Sequence, residues 1–168
     1  MGKTRDKHNR RSRPVETVGW REWVNLPRLS LDHIKVKVDT GARTSALHAF
    51  FVEPYRERGV LHVRFGIHPV QLRTDVETIC HAEVIDQREV MDSGGHREHR
   101  YFIVTEVAMG PHRFPVEMTL TNRDTMRFRM LLGRSALAGR FVVDPDASYL
   151  QGEPRTEGRR RQRTDPST

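Results

Sequence analysis

Residues 31–42 read LDHIKVKVDTGA, and this stretch decides the fold. Apolar side chains at positions 34, 36 and 38 alternate with lysines at positions 35 and 37. A period of two predicts a strand with one buried and one polar face. The predicted strand runs directly into Asp39, so this acid projects from a rigid element.

The residues after Asp39 form a compact turn sequence. Gly41 allows the backbone to turn sharply and to approach another segment closely, and the Thr40 hydroxyl can fasten the turn. A carboxylate held in this way is a candidate catalytic acid. An ordinary Asx turn, which Asp-Thr-Gly makes readily, remains the alternative explanation.

Outside this stretch the apolar residues mostly alternate, which predicts a mostly β core. A polar, Gly-bearing break at residues 92–96 predicts a β-hairpin with a mobile tip. One short helix is predicted at residues 135–138, with Ser135 as its N-cap. The predicted strands cover residues 20–26, 31–38, 44–51, 61–67, one or two segments within 77–91, then 101–107, 114–120, 130–134 and 141–145.

Two motifs resemble the signatures of retropepsins, and they occur in the order found in that family. Asp39-Thr40-Gly41-Ala42 resembles the active-site motif, and Leu131-Leu132-Gly133-Arg134 resembles the second signature. The resemblance implies a closed β-barrel with a flap hairpin and one short helix. It also implies that Asp39 is catalytic, that Thr40 and Gly41 brace its loop and that the second motif supports the site. The resemblance places Ala42 beside the loop and Ser93, Gly94 and Gly95 at the flap tip as substrate-binding residues. Arg43, Arg97 and Arg100 are added as candidates because their positive charges would surround a peptide in the cleft.

Longer stretches resemble a bacterial family whose members are often called ATP-dependent zinc proteases although their fold is retropepsin-like. The resemblance lies in residues 19–26, 37–49, 120–134 and 141–145. Arg43 and Ser135 depart from the viral retropepsin pattern. The chain contains no GxxxxGK[ST] loop and no HExxH motif, so its residues support neither nucleotide use nor this familiar zinc motif. No metal or other cofactor is therefore expected.

A lone Asp-Thr-Gly needs a partner carboxylate. Aspartic peptidases activate water between two carboxylates that share a proton, because like charges a few ångströms apart cannot both ionise cheaply. A chain of 168 residues is too short for two lobes. A C2 homodimer that contributes Asp39 from each subunit is the predicted solution.

The charge of the chain is concentrated at its ends. The net charge is +7, and residues 1–16 and 151–168 contribute +4 and +2 of it, so residues 17–150 carry only +1. Both terminal segments are poor in apolar residues and are predicted to be disordered basic tails around one peptidase domain at 17–150. Such tails can bind nucleic acid weakly through phosphate contacts, although most are only solubilising.

Other chemistries leave weaker signals in the sequence. His96, Glu98 and His99 form the tightest cluster of metal-ligand residue types, beside Arg97 and Arg100, whose charges oppose a dication. The lone Cys80 excludes an internal disulfide, and its neighbour His81 should point to the opposite face of a strand. No GxSxG motif is present.

Three functions therefore stay open: a dimeric aspartic endopeptidase, which is favoured, a metal-dependent hydrolase that uses the His96 cluster, and a non-catalytic β-barrel that binds peptide or nucleic acid. The N-terminus lacks an apolar signal segment and no window is long enough to span a membrane, so a cytoplasmic location is expected. The family resemblance implies a link to ligases that append glutamates. Together with Arg43, Arg97 and Arg100, that link predicts an acidic, glutamate-rich peptide substrate.

Overall fold

The computed structural model describes residues 15–91, 94–122 and 127–153, and within them it contains twelve strands, one α-helix and one 3-10 helix. The α-helix is α1 (Arg134–Leu137), and the 3-10 helix covers Pro27–Leu29. The strands are β1 (Glu16–Gly19), β2 (Arg21–Leu26), β3 (Leu31–Asp39), β4 (Ser45–His48), β5 (Phe51–Glu57), β6 (Val60–Ile67), β7 (Thr78–Glu83), β8 (Asp86–Met91), β9 (Arg97–Met109), β10 (His112–Thr121), β11 (Met130–Gly133) and β12 (Phe141–Asp144).

Six strands close into a barrel in the order β10-β4-β11-β3-β2-β9, because β9 also pairs with β10. The alternating residues of β3 explain its place in this barrel. Ile34, Val36 and Val38 are buried in the core, while the lysines between them face outward or lie half-buried. The mostly β fold, the closed barrel and the single short helix predicted from the sequence are confirmed for the described residues.

The centre of the barrel wall combines parallel and antiparallel pairing. β11 lies between β3 and β4, parallel to β3 and antiparallel to β4. Met130 and Leu132 of β11 are fully buried, which explains its apolar sequence. This arrangement sets Gly133 directly opposite Asp39 and so brings the two sequence motifs together.

The predicted hairpin between residues 86 and 109 is present. β8 and β9 pair in register from Asp86 opposite Phe102 to Met91 opposite Arg97. Of the predicted flap tip, Gly94 and Gly95 are exposed, and Gly95 has a φ of 82° that suits glycine. Ser93, which was predicted to belong to this tip, lies outside the described residues.

The predicted strand at 44–51 is in fact two strands in two sheets. β4 belongs to the barrel, whereas β5 begins a separate three-stranded sheet in the order β5-β6-β7. The chain changes sheets at Phe50, whose N–H donates to the carbonyl of Gly66 at 2.9 Å. A Cβ at Gly66 would lie only 2.4 Å from the Phe50 ring and 2.5 Å from the Phe51 ring, so a larger residue at this point of β6 would force these rings to move.

Two smaller expectations need correction. The first strand begins at Glu16 and not at Trp20, because β1 pairs in parallel with β12. The helix begins at Arg134, and Gly133 occupies the N-cap position that had been assigned to Ser135. Glycine is required at position 133 because the backbone of the loop after Asp39 lies too close for a Cβ atom. Among the described residues, no helix is long and apolar enough to cross a membrane.

Candidate active site

Asp39 ends β3 and is half-buried, on the strand face opposite the buried Val36 and Val38 positions. Its Oδ1 accepts a hydrogen bond from the Gly41 N–H at 3.0 Å, and its carbonyl accepts one from the Ala42 N–H at 3.3 Å. The turn itself therefore orients the carboxylate. Thr40 and Gly41 are both exposed at this edge.

The second motif holds the loop from the other side. The Arg134 guanidinium donates to the carbonyl oxygens of Thr40 at 3.0 Å and Gly41 at 3.1 Å. The Arg134 backbone N–H donates to the Ala42 carbonyl at 2.8 Å. Both side-chain bonds come from Nη1, so a single guanidinium nitrogen joins two carbonyls of the loop.

Gly133 allows the two motifs to approach this closely. A Cβ built at Gly133 would lie 2.6 Å from the carbonyl carbon of Thr44 and 3.0 Å from the carbonyl oxygen of Ala42. Both are backbone atoms, which cannot move aside cheaply. Leu132 beside it is fully buried, while Leu131 is half-buried.

Two further contacts complete the loop, and one of them involves a residue that the sequence did not single out. Ser45 is fully buried, and its Oγ accepts a hydrogen bond from the Gly133 N–H at 3.0 Å. The Ser135 N–H donates to the carbonyl of Arg43 at 3.1 Å, while Arg43 itself is exposed at the end of the loop. A small polar residue just after the Asp-Thr-Gly turn was the available signal for Ser45.

The basic flap residues contact acids of the same hairpin. Arg97 lies 3.7 Å from a carboxylate oxygen of Glu89, and Arg100 lies 3.1 Å from one of Glu98. Glu98 also accepts a hydrogen bond from the Asn122 N–H at 3.4 Å. These contacts do not join either arginine to the Asp39 loop.

The His96 cluster is not gathered into a ligand set. Glu98 and His99 are adjacent on β9 and so point to opposite faces. Glu98 contacts Arg100, whereas the His99 ring nitrogen Nε2 lies 2.9 Å from the side-chain oxygen of Gln87. In the parts of the chain that the structure describes, no group of three His, Cys, Asp or Glu residues is placed to hold a metal ion.

The geometry around Asp39 agrees with a comparison against protein families. A model of the RimB-like family, described as retropepsin-like aspartic endopeptidase RimB, matches residues 17–154. The chain belongs to the RimB-like family. The family description names an aspartic endopeptidase and not a zinc protease, so the zinc-protease label is not supported.

Curated relatives carry a different name. Proteins called probable alpha-L-glutamate ligase are 42% identical over 136 residues in Shewanella halifaxensis and 43% identical over 140 residues in Parasynechococcus marenigrum. The matches cover 81% and 83% of this chain but only 30% of each relative. The chain thus spans less than a third of the length of these relatives.

A solved structure supports the fold. The crystal structure of Lpg0085 from Legionella pneumophila, a protein of unknown function, aligns with a TM-score of 0.68 at 22% identity. The alignment covers 81% of this chain and 98% of the other. At this identity the match speaks for the RimB-like fold alone.

The single cysteine of this RimB-like chain lies away from any nucleophilic site. Cys80 is buried on β7, and its thiol donates to the carbonyl of Leu29 at 3.5 Å. Burial raises the pKa of the Cys80 thiol to about 12. His81 is exposed on the opposite face, as the strand alternation predicted. A buried thiol with a raised pKa is a poor nucleophile, so Cys80 has a packing role.

Proposed function

We propose that this chain is an aspartic endopeptidase in which two Asp39 carboxylates, one from each subunit of a homodimer, activate a water molecule. The observation that carries the proposal is the hydrogen-bonded loop of Asp39, clasped by Arg134 and set opposite Gly133. Membership of the RimB-like family of retropepsin-like aspartic endopeptidases supports the same chemistry.

The proposed reaction needs only the two carboxylates and water. One Asp39 is ionised and takes a proton from the water as it attacks the peptide carbonyl. The other is protonated and gives its proton to the carbonyl oxygen, after which the amine leaves with a proton from the dyad. The Arg134 clasp contributes by holding each carboxylate in position before substrate arrives.

The two-stranded sheet of β1 and β12 supports the proposal of a dimer. Each strand of this sheet has one edge outside the β1–β12 ladder, and such edges are templates for pairing with another chain. Val15 and Val142 expose half or more of their side chains in the same region. A two-fold axis beside this sheet would make the contact isologous.

We propose an acidic, glutamate-rich peptide as the substrate. Relatives that contain a similar segment are called glutamate ligases, and a ligase of that kind produces glutamyl amide bonds. The match covers only 30% of that relative, so in this proposal the ligase activity belongs to the rest of the relative and the RimB-like segment cleaves. Exposed Arg43 beside the loop agrees with an acidic substrate.

The decisive experiment compares wild type with Asp39→Asn, with Asp32→Asn as the matched control on the same strand. Asp32 is exposed and lies seven positions before Asp39 on the same strand. Each amide variant removes one negative charge, so the two proteins have the same net charge. We expect Asp39→Asn to remain folded and to lose at least about a hundredfold in peptide turnover, because an amide cannot act as the base. Asp32→Asn should keep wild-type turnover. Undiminished turnover by Asp39→Asn would disprove the aspartic mechanism.

A further inference from the structure

The outward face of β3 carries a row of basic side chains that ends at the carboxylate. Lys35, Lys37 and Asp39 alternate with the buried residues of this strand and therefore lie on one face. Neighbours on one face of a strand are about 6.6 Å apart between Cα atoms. Lys37 is thus the basic residue next to Asp39 along its own strand.

The residues around Lys37 form a small surface of mixed character. Arg21 of β2 lies opposite Lys37 on one side, and Leu131 of β11 lies opposite it on the other. Arg21 and Leu131 are half-buried, whereas Lys37 is exposed. This pair suits a bound acidic side chain, because the Lys37 ammonium can bind its carboxylate while the half-buried Leu131 contacts its methylenes.

The other two cations of this face are held by aromatic rings. The Arg21 guanidinium lies 4.6 Å from the Trp20 ring centroid and 5.0 Å from that of Tyr149, and it donates to the Ser148 hydroxyl at 3.1 Å. The Lys35 ammonium lies 5.1 Å from the Trp23 centroid. Cation–π contacts of this kind keep Arg21 and Lys35 in place. Lys37 is the exposed member of the three.

We propose that Lys37 is a specificity-determining residue that binds the carboxylate of an acidic side chain next to the scissile bond, while Leu131 packs against the methylenes of that side chain. This inference rests on the proposed function, because it places the substrate across Asp39. In a C2 dimer the two Lys37 ammonium groups would lie on opposite sides of the dyad. An acidic residue would then be favoured on both sides of the cleaved bond.

The experiment uses Lys37→Met, with Lys35→Met as the matched control. Each substitution removes one positive charge from the same face and keeps an unbranched stem. The probes are a glutamate-rich peptide and its glutamine counterpart, which differ in charge but hardly in shape. We expect Lys37→Met to lower the ratio of kcat/KM for glutamate over glutamine by about tenfold, the size of one charge-assisted hydrogen bond. Lys35→Met should leave the ratio near that of wild type.

A binding measurement separates this inference from the proposed function. Fluorescence anisotropy of a labelled oligoglutamate peptide is measured on Asp39→Asn alone, with Lys37→Met and with Lys35→Met. About tenfold weaker binding with Lys37→Met only would support the Lys37 site even if wild type cleaved nothing, and then the peptidase proposal alone would fail. Equal binding by all three proteins, equal loss with either lysine, or no binding by Asp39→Asn would overturn the Lys37 inference.

Discussion

Gly133 and Gly41 lie on the two sides of the Asp39 loop, and an added methyl group would meet different atoms at each. At Gly133 the new Cβ would meet the backbone of Thr44 at 2.6 Å. At Gly41 it would meet the Asp39 Oδ1 at 3.2 Å, which is the end of a side chain. The contact at Gly133 would push β11 away from the backbone of Thr44, whereas the contact at Gly41 would displace the Asp39 carboxylate.

Alanine at these two positions should therefore separate stability from activity. We expect Gly133→Ala to lower the free energy of unfolding by about 2–3 kcal/mol, because β11 must shift away from the loop. Gly41→Ala should cost less than about 1 kcal/mol but reduce turnover by about tenfold or more, because the carboxylate is displaced. Urea unfolding and peptide kinetics on both variants make the comparison. A stable, fully active Gly133→Ala protein would contradict the close approach.

The candidate site could be proposed from the sequence as far as it carried a motif. Asp39, Gly41 and Arg134 were singled out because their residue types and order are specific, and the structure joins them in one hydrogen-bonded loop. Ser45 and Lys37 were not, because a serine and a lysine are common in any strand. Ser45 bonds to Gly133 of β11, and Lys37 lies between Leu131 of β11 and Arg21 of β2. The local sequence does not reveal these long-range neighbours.

Strands were predicted best where apolar and polar residues alternate clearly along the sequence. β3 was predicted closely because each inward position is branched and apolar. The stretch at 44–51 was read as one strand because its small, aromatic and histidine residues show no clear change where β4 passes to β5. β1 was missed altogether. It has four residues and exists through pairing with β12, more than a hundred residues away.

A buried acid joins these terminal elements to the barrel. Glu22 of β2 is fully buried, and its Oε1 accepts hydrogen bonds from the N–H groups of Gly19 at 3.1 Å, Leu150 at 2.8 Å and Gln151 at 3.3 Å. Glu22 thus holds the end of β1 and the chain after β12 against β2.

Removal of this acceptor should loosen both terminal segments. We expect Glu22→Ala to lower the free energy of unfolding by about 2–4 kcal/mol, because three backbone donors lose their partner. Glu22→Gln keeps one carbonyl oxygen and should cost less than Glu22→Ala. Glu83→Ala, at an exposed position on β7, serves as the control and should stay within about 0.5 kcal/mol of wild type. Equal stability of all three variants in urea would show that the hydrogen bonds of Glu22 do not stabilise the terminal segments.

At the scale of the whole molecule, the positive charge is concentrated in the two terminal segments and not in residues 17–150. Near the two ends of the described residues, Glu16 pairs with Phe141, and Gln151 donates its side-chain amide to the Thr17 carbonyl at 3.0 Å. A truncation that respects these contacts starts before Glu16 and ends after Gln151. The basic residues beyond them remain candidates for weak phosphate binding.

The proposed shared site makes a prediction that no single-chain enzyme would meet. If each dimer needs two Asp39 carboxylates, a mixed dimer of wild type and Asp39→Asn is impaired although half of its subunits are intact. After subunit exchange in an equal mixture, turnover per wild-type subunit should fall to about half, because half of the wild-type chains then sit in mixed dimers. A differently tagged mixed dimer, purified, should be at least about a hundredfold slower than wild type. Mixing with Asp32→Asn should leave turnover per subunit unchanged, which controls for exchange itself. Unchanged turnover per wild-type subunit with Asp39→Asn, in a mixture whose exchange is verified by the tags, would mean that one chain completes the site alone.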